Sequence, residues 1–277
     1  MAETDAHRLR YLVNCSIMFT ELPLLERPAA ARDAGFDAVE FWWPWPEHPV
    51  PPEAEVDAFA RSIEDAGVQL IGLNFFAGDL AGPDCGVLSI PARSAQFRDN
   101  IPVAIALGER LGVRAFNALY GNRIEGTDPP EQNAVGTDNL VLAAREAERI
   151  GATVLVEAVS GPKPYPLRTA DDAVAVVRRV RAAGATNVGF LCDLFHLASN
   201  GDDLGAAIER HISDIAHVQI ADAPGRGEPG SGALDLDRHL TDLAARGYAG
   251  WVGLEYKPTT AATVDSLGWL PRDRRGA

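Results

Sequence analysis

Eight apolar runs of strand length recur along the chain at intervals of roughly thirty residues, each followed by a segment with helical spacing or capping residues. The runs occupy 11–17, 37–43, 68–76, 113–120, 153–159, 188–194, 217–222 and 250–256. Helical segments over 24–35, 53–67, 91–112, 131–151, 169–184, 203–211 and 236–247 lie between them, and a shorter one over 262–270 closes the series. Gly35, Gly67, Gly112 and Gly151 sit at the ends of such segments, where a C-cap favours a residue free to turn left-handed. Eight strand-then-helix units favour a closed barrel over an open doubly wound sheet. The expected fold is therefore α/β, a single (β/α)8 TIM barrel. One domain is expected over residues 1–277, with its core at about 11–270 and short disordered termini.

The last four runs each carry one oxygen-bearing side chain near the C-terminal end: Glu157, Asp193, Gln219 and Glu255. A parallel barrel gathers those ends on one face, so residues far apart in sequence can meet there around a single divalent ion. A buried carboxylate without a partner is costly, and nearby cations are few. Three anions and one neutral carbonyl form a hard-oxygen set that suits Mg2+ or Mn2+ better than zinc. Such a site suits a 1,2-proton shift between a carbonyl and the adjacent hydroxyl carbon, in which one glutamate removes a proton and the other, or a shared water, returns it. Arg226 and Lys257 are the candidates for holding a substrate carboxylate.

Blander readings stand beside these. Each strand-end acid could pair with a neighbouring Lys or Arg, and Arg226 and Lys257 could be plain surface residues. His217, two residues before Gln219, is expected one layer deeper as a hydrogen-bonded core histidine. Glu40 either orients a site residue or, the preferred reading, sits in a structural ion pair. Trp42, Trp43 and Trp45 either line a pocket or pack. The stretch 225–230 matches GxGxxG, yet Pro229 and Gly232 argue against the helix that a dinucleotide site needs.

Composition narrows the partners. A formal net charge of −14 opposes nucleic-acid binding, which depends on clustered Lys and Arg, and the short basic tail 272–275 reads as a frayed end. The three cysteines, Cys15, Cys85 and Cys192, show no metal-type or disulfide spacing, so reduced thiols and a cytoplasmic location are expected. The polar N-terminus is expected to be neither a signal peptide nor a membrane span. No membrane partner is expected, and a homo-oligomer remains open.

Several stretches together resemble the hydroxypyruvate isomerase family of the xylose-isomerase-like barrels: FDAVEFWWP, FAGDLAGPDCG, TVLVEAV, CDLFH, HVQIADAPGRGEPGSG and WVGLEYKPT. The resemblance implies metal ligation by Glu157, Asp193, Gln219 and Glu255, with Glu157 and Glu255 as the catalytic glutamates. The pattern of the related ketose epimerases implies substrate-binding roles for His196, three residues after the metal aspartate, and for Arg226, soon after the third ligand. The implied activity is interconversion of hydroxypyruvate and tartronate semialdehyde. Isomerisation of a 2-oxo-tetronate and 3-epimerisation of a free ketose are the alternatives on this scaffold, so the expected partner is a small sugar acid or ketose. Leu73, Phe75, Phe76 and Leu80 depart from bacterial members and are expected to reshape the pocket. Outside this class stand a multi-zinc nuclease, disfavoured by the acidic charge and scattered histidines, and a non-catalytic barrel.

Overall fold

Most strand residues here are buried on both faces of the sheet, which is why they read as near-continuous apolar runs. In the computed structural model, which describes residues 7–276, eight parallel strands close on themselves in sequence order. They are β1 (Arg10–Asn14), β2 (Ala38–Phe41), β3 (Gln69–Asn74), β4 (Ala115–Asn117), β5 (Thr153–Glu157), β6 (Val188–Asp193), β7 (Ile215–Ile220) and β8 (Trp251–Leu254). Pairing of β8 with β1 completes the barrel.

The helices form the outer layer: α1 (Arg27–Asp33), α2 (Glu53–Ala66), α3 (Ser94–Leu111), α4 (Pro129–Glu148), α5 (Ala170–Ala182), α6 (Leu194–Ser199), α7 (Leu204–His211) and α8 (Leu236–Ala245). Local sequence sets their ends. Gly67 and Gly112 close α2 and α3 with φ of 66° and 76°, a conformation that costs a residue with a Cβ. Thr169 and Asp172 open α5 with a reciprocal capping box.

Two apolar regions hold the fold. The larger lies between strands and helices, where Phe41, Phe59, Phe97, Phe116 and Phe190 are all but inaccessible. The smaller region fills the barrel interior with Leu12, Ala38 and Ile71 on one side and Ala115, Leu155 and Leu191 on the other. Strand side chains alternate with period two, so the residue two positions on shares the inner face one layer nearer the mouth. From Leu12, Ala38, Ala115, Leu155 and Leu191 that step arrives at Asn14, Glu40, Asn117, Glu157 and Asp193. An apolar layer is thus overlaid by a polar one.

Some expectations from sequence need correction. Several strands stop short of their apolar runs, most visibly β4, because Leu119 and Tyr120 are buried in a loop rather than in the ladder. After β6 come two helices, with the unexpected α6 starting on the Asp193 side chain as N-cap. The closing segment is a 3-10 helix, Thr263–Trp269, rather than an α-helix. The basic tail is pinned rather than frayed: Arg275 donates to the carbonyls of Leu270, Ala34 and Leu267, and Arg274 to that of His7. The expectation of disorder at the extreme termini concerns residues 1–6 and 277, which lie outside the described residues. Among the described residues, no helix is long and apolar enough to cross a membrane.

Candidate active site

The polar layer at the C-terminal ends of the strands meets a cavity of about 180 Å3, lined by Trp42, Glu157, Lys163, His196, Arg226 and Glu255 among others. A larger cavity of about 460 Å3, beside His7, Tyr11 and Trp269, contains none of the strand-end acids. Chemistry therefore singles out the smaller one.

Glu157 ends β5 and is 4% exposed; Asn117, at the end of the neighbouring β4, donates to its Oε2 at 2.7 Å. Asp193 ends β6, 2% exposed, and accepts the His196 backbone N–H at 3.1 Å. Glu255 follows β8 directly. Its Oε2 accepts from Asn14 at 2.9 Å and from the Gln219 amide at 2.5 Å, while its Oε1 pairs with the Arg226 guanidinium.

Gln219 is the informative member. Its Nε2 donates both to Glu255 and to Glu40 Oε1 at 2.7 Å, so its amide orientation is fixed, and its buried Oε1 has no partner. Asn117 Oδ1 is left in the same condition. Orphaned acceptors beside three buried carboxylates fit a hard divalent cation. Glu157, Asp193, Gln219 and Glu255 are the residues that would hold it.

His196 could be counted with Glu157 and Asp193 as a ligand, since the three side chains lie within 4.8 Å of one another. Its hydrogen bonds argue otherwise. The Ser160 backbone N–H donates to Nδ1 at 3.0 Å, so in the neutral ring the proton sits on Nε2. That Nε2–H lies 3.8 Å from both Glu157 Oε1 and Asp193 Oδ2, presented as a donor into the site. Burial lowers the pKa of the ring to about 4, so it is neutral there.

Burial works in the opposite direction on the acids. It pushes Glu157 well above the usual carboxylate range, with the charges of Glu255 and Asp193 adding to the effect. Burial likewise raises Glu255 to about 8, opposed by Arg226 and reinforced by Asp193 and Glu40.

Arg226 is delivered by the loop after β7, which Asp222 organises. The Asp222 carboxylate accepts the backbone N–H groups of Ala223, Gly230 and Leu234. Gly232 is required there, since a Cβ would lie 2.5 Å from both Asp222 Oδ1 and Ala223 O. The glycine-rich stretch is thus an acid-anchored turn. Arg226 itself adopts φ of 61° and lies over the Phe195 ring at 5.3 Å.

Beneath the site, His217 Nε2 meets Glu40 Oε2 at 2.8 Å, the buried core contact expected of this histidine. Glu40 also accepts from Asn14, so it supports two site residues as well as His217. Of the tryptophans, Trp42 lines the cavity, whereas Trp43 and Trp45 pack edge to face at 5.1 Å. Leu80 lines the cavity too; Phe75 instead stacks on Phe116 in the outer core. Lys257 departs from expectation. It is exposed and does not line the cavity, because β8 ends at Leu254 and strand alternation no longer carries Lys257 to the face of Glu255. Lys163, from the loop after β5, lines the cavity and was not anticipated; nothing in GPKPYP beyond loop composition pointed to it.

Residues 28–272 match the profile of the xylose isomerase-like TIM barrel family. A Streptomyces coelicolor relative, whose hydroxypyruvate isomerase name is itself provisional, is 57% identical over 97% of this chain and 98% of its own. A Cupriavidus necator protein named 2-oxo-tetronate isomerase is 34% identical over 94% and 97% of the two chains. A crystal structure from Brucella melitensis, titled AP endonuclease, family 2, superposes with a TM-score of 0.84 at 33% identity, covering 94% of this chain and 97% of that one. Barrel, polar strand ends and relatives agree: the chain belongs to the hydroxypyruvate isomerase family of xylose isomerase-like TIM barrels, and is an isomerase.

Proposed function

We propose that the protein is a divalent-metal-dependent isomerase that interconverts hydroxypyruvate and tartronate semialdehyde, or a close 2-oxo sugar acid. The observation that carries this reading is the set of buried strand-end acids, Glu157 and Asp193 with side-chain oxygens within 4.8 Å of one another and Glu255 hydrogen-bonded to a Gln219 whose Oε1 is unpartnered, an arrangement that a Mg2+ or Mn2+ ion would complete. When bound, such an ion would stabilise negative charge on the substrate oxygens as it develops.

The chain's own residues account for the proton movements. A carboxylate at the position of Glu157 or Glu255 removes the proton from the hydroxyl-bearing carbon, leaving an enediolate. Return of a proton to the neighbouring carbon, by the other glutamate or a shared water, completes the shift at carbon. The hydroxyl proton passes from one oxygen to the adjacent one, and the Nε2–H of His196 is suited to steady the oxygen that gains charge.

The test is turnover of hydroxypyruvate, 2-oxo-tetronates and free ketoses with added Mn2+ or Mg2+, and with EDTA. Loss of activity in EDTA with hydroxypyruvate as the best substrate supports the proposal. Preference for a tetronate selects the isomerase activity named for the Cupriavidus relative. The nuclease title of the Brucella structure gains little from this site, where one histidine accompanies the acids. Cleavage of abasic DNA without isomerase activity would reverse that judgement.

A further inference from the structure

The chain contains two lysines, and they differ sharply in placement. Lys257 is exposed, while Lys163 is half-buried at the edge of the cavity that holds Glu157 and His196. The Lys163 ammonium donates to the carbonyls of Leu80 at 3.1 Å and Asp84 at 2.5 Å. Both acceptors are neutral. The nearby Asp84 carboxylate is engaged by Arg93 at 2.7 Å, and among the described residues no carboxylate lies within ion-pair distance of Lys163. An ammonium has three donors, so one is left with a full charge behind it. Arg226, the other cation lining the cavity, is already answered by Glu255.

Charge then decides how an anionic substrate can enter. With a divalent ion answering Glu157, Asp193 and Glu255, and with Arg226 paired to Glu255, the strand ends are close to neutral, and Lys163 at the loop side is the cation left over to draw in a substrate carboxylate. We infer that Lys163 recognises the substrate carboxylate and makes this site selective for short 2-oxo acids over uncharged ketoses. The inference rests on the isomerase reading for the reaction. It does not depend on which 2-oxo acid is used. A cavity of about 180 Å3 suits a small molecule.

The experiment compares wild type, Lys163→Met, Lys163→Arg and Lys257→Met in two ways. The first is kcat/KM on hydroxypyruvate and on 1,3-dihydroxyacetone, its uncharged three-carbon counterpart. The second is calorimetric binding of D-glycerate, a carboxylate that has no carbonyl to isomerise, to the Mn2+-loaded protein. Lys163→Met is expected to lose about 10- to 100-fold in kcat/KM on hydroxypyruvate, mainly through KM, and a similar factor in glycerate affinity. Lys163→Arg should recover part of both. Equal losses on both substrates would assign Lys163 a loop-organising role and overturn the proposal. Wild-type preference for dihydroxyacetone, or loss of glycerate binding in Lys257→Met instead, would also overturn it. If no variant isomerises either compound, the isomerase reading fails, and the glycerate comparison alone still decides whether Lys163 binds carboxylates.

Discussion

Metal binding at this site should compete with protons, and the structure sets the range over which it does so. Three buried carboxylates face one guanidinium, and burial raises Glu255 to about 8 and Glu157 well above its ordinary range. Near neutral pH the metal-free pair therefore holds at least one proton that a divalent ion must displace. For one displaced proton, Mn2+ affinity should rise about tenfold per pH unit, roughly 100-fold from pH 6 to 8, and then flatten. Calorimetry in two buffers of different ionisation heat counts the released protons directly. The expected count is about one at pH 7.

Stability follows the same linkage. A carboxyl with a raised folded-state pKa is protonated in the folded protein where the unfolded chain has already lost the proton. Metal-free stability should thus fall as pH rises from about 4.5 to about 8. Mn2+ at a hundred times its Kd adds about 2.7 kcal/mol, roughly 5 °C in Tm for a chain of this length. At one fixed Mn2+ concentration, the Tm gap between loaded and EDTA-treated protein should widen from pH 6 to 8. Affinity independent of pH together with no proton release would refute the reasoning, because it would mean that the acids are already ionised without the cation.

Glu157→Gln and Glu255→Gln should each lower kcat by about 10^2- to 10^4-fold, while circular dichroism shows the barrel intact; unchanged turnover would remove both from the proton transfer. Glu40→Gln keeps shape but weakens the hold on Gln219, so Mn2+ affinity should drop about 10- to 100-fold in a titration, and full affinity would deny Glu40 a positioning role. Gly253→Ala would set a Cβ 2.6 Å from Glu40 Oε1 and 3.1 Å from Gln219 Cγ. It should cost about 1–3 kcal/mol in urea unfolding, and a stability equal to wild type would show that Glu40 can move aside.

The order of elements was legible because burial on both faces of a parallel strand leaves a continuous apolar run, and α-helices answer with a different period. Strand ends were less legible. Hydrophobicity reports burial rather than ladder hydrogen bonds, and Trp43, Phe76, Tyr120 and Tyr256 are buried in loops beyond their strands. Within the site, an acid inside an apolar run announces itself, which is how Glu157, Asp193 and Glu255 stood out. Asn14 and Asn117 carried a signal of the same kind, a polar residue two positions after an inner apolar one, but a neutral amide draws less notice than a charge. Lys163 had no such signal, since loop conformation decides where its side chain goes.

The division of labour between the two halves of the barrel bears on whether the acids are a metal site or ordinary paired strand ends. Ordinary pairing predicts a cation for each acid. Glu255 has Arg226; Glu157 and Asp193 have, among the described residues, only the neutral His196 at 3.8 Å. What the first half supplies instead is hydrogen bonding: Asn117 to Glu157, Asn14 to Glu255, and Glu40 to the amide of Gln219. Those contacts fix the orientation of side chains without answering their charge. With both N–H groups of Gln219 engaged, its carbonyl oxygen is the atom left over. Neutral residues that orient acids, and an acid that turns an amide oxygen free, leave a surplus of negative charge that a divalent cation offsets and that a further salt bridge would obstruct.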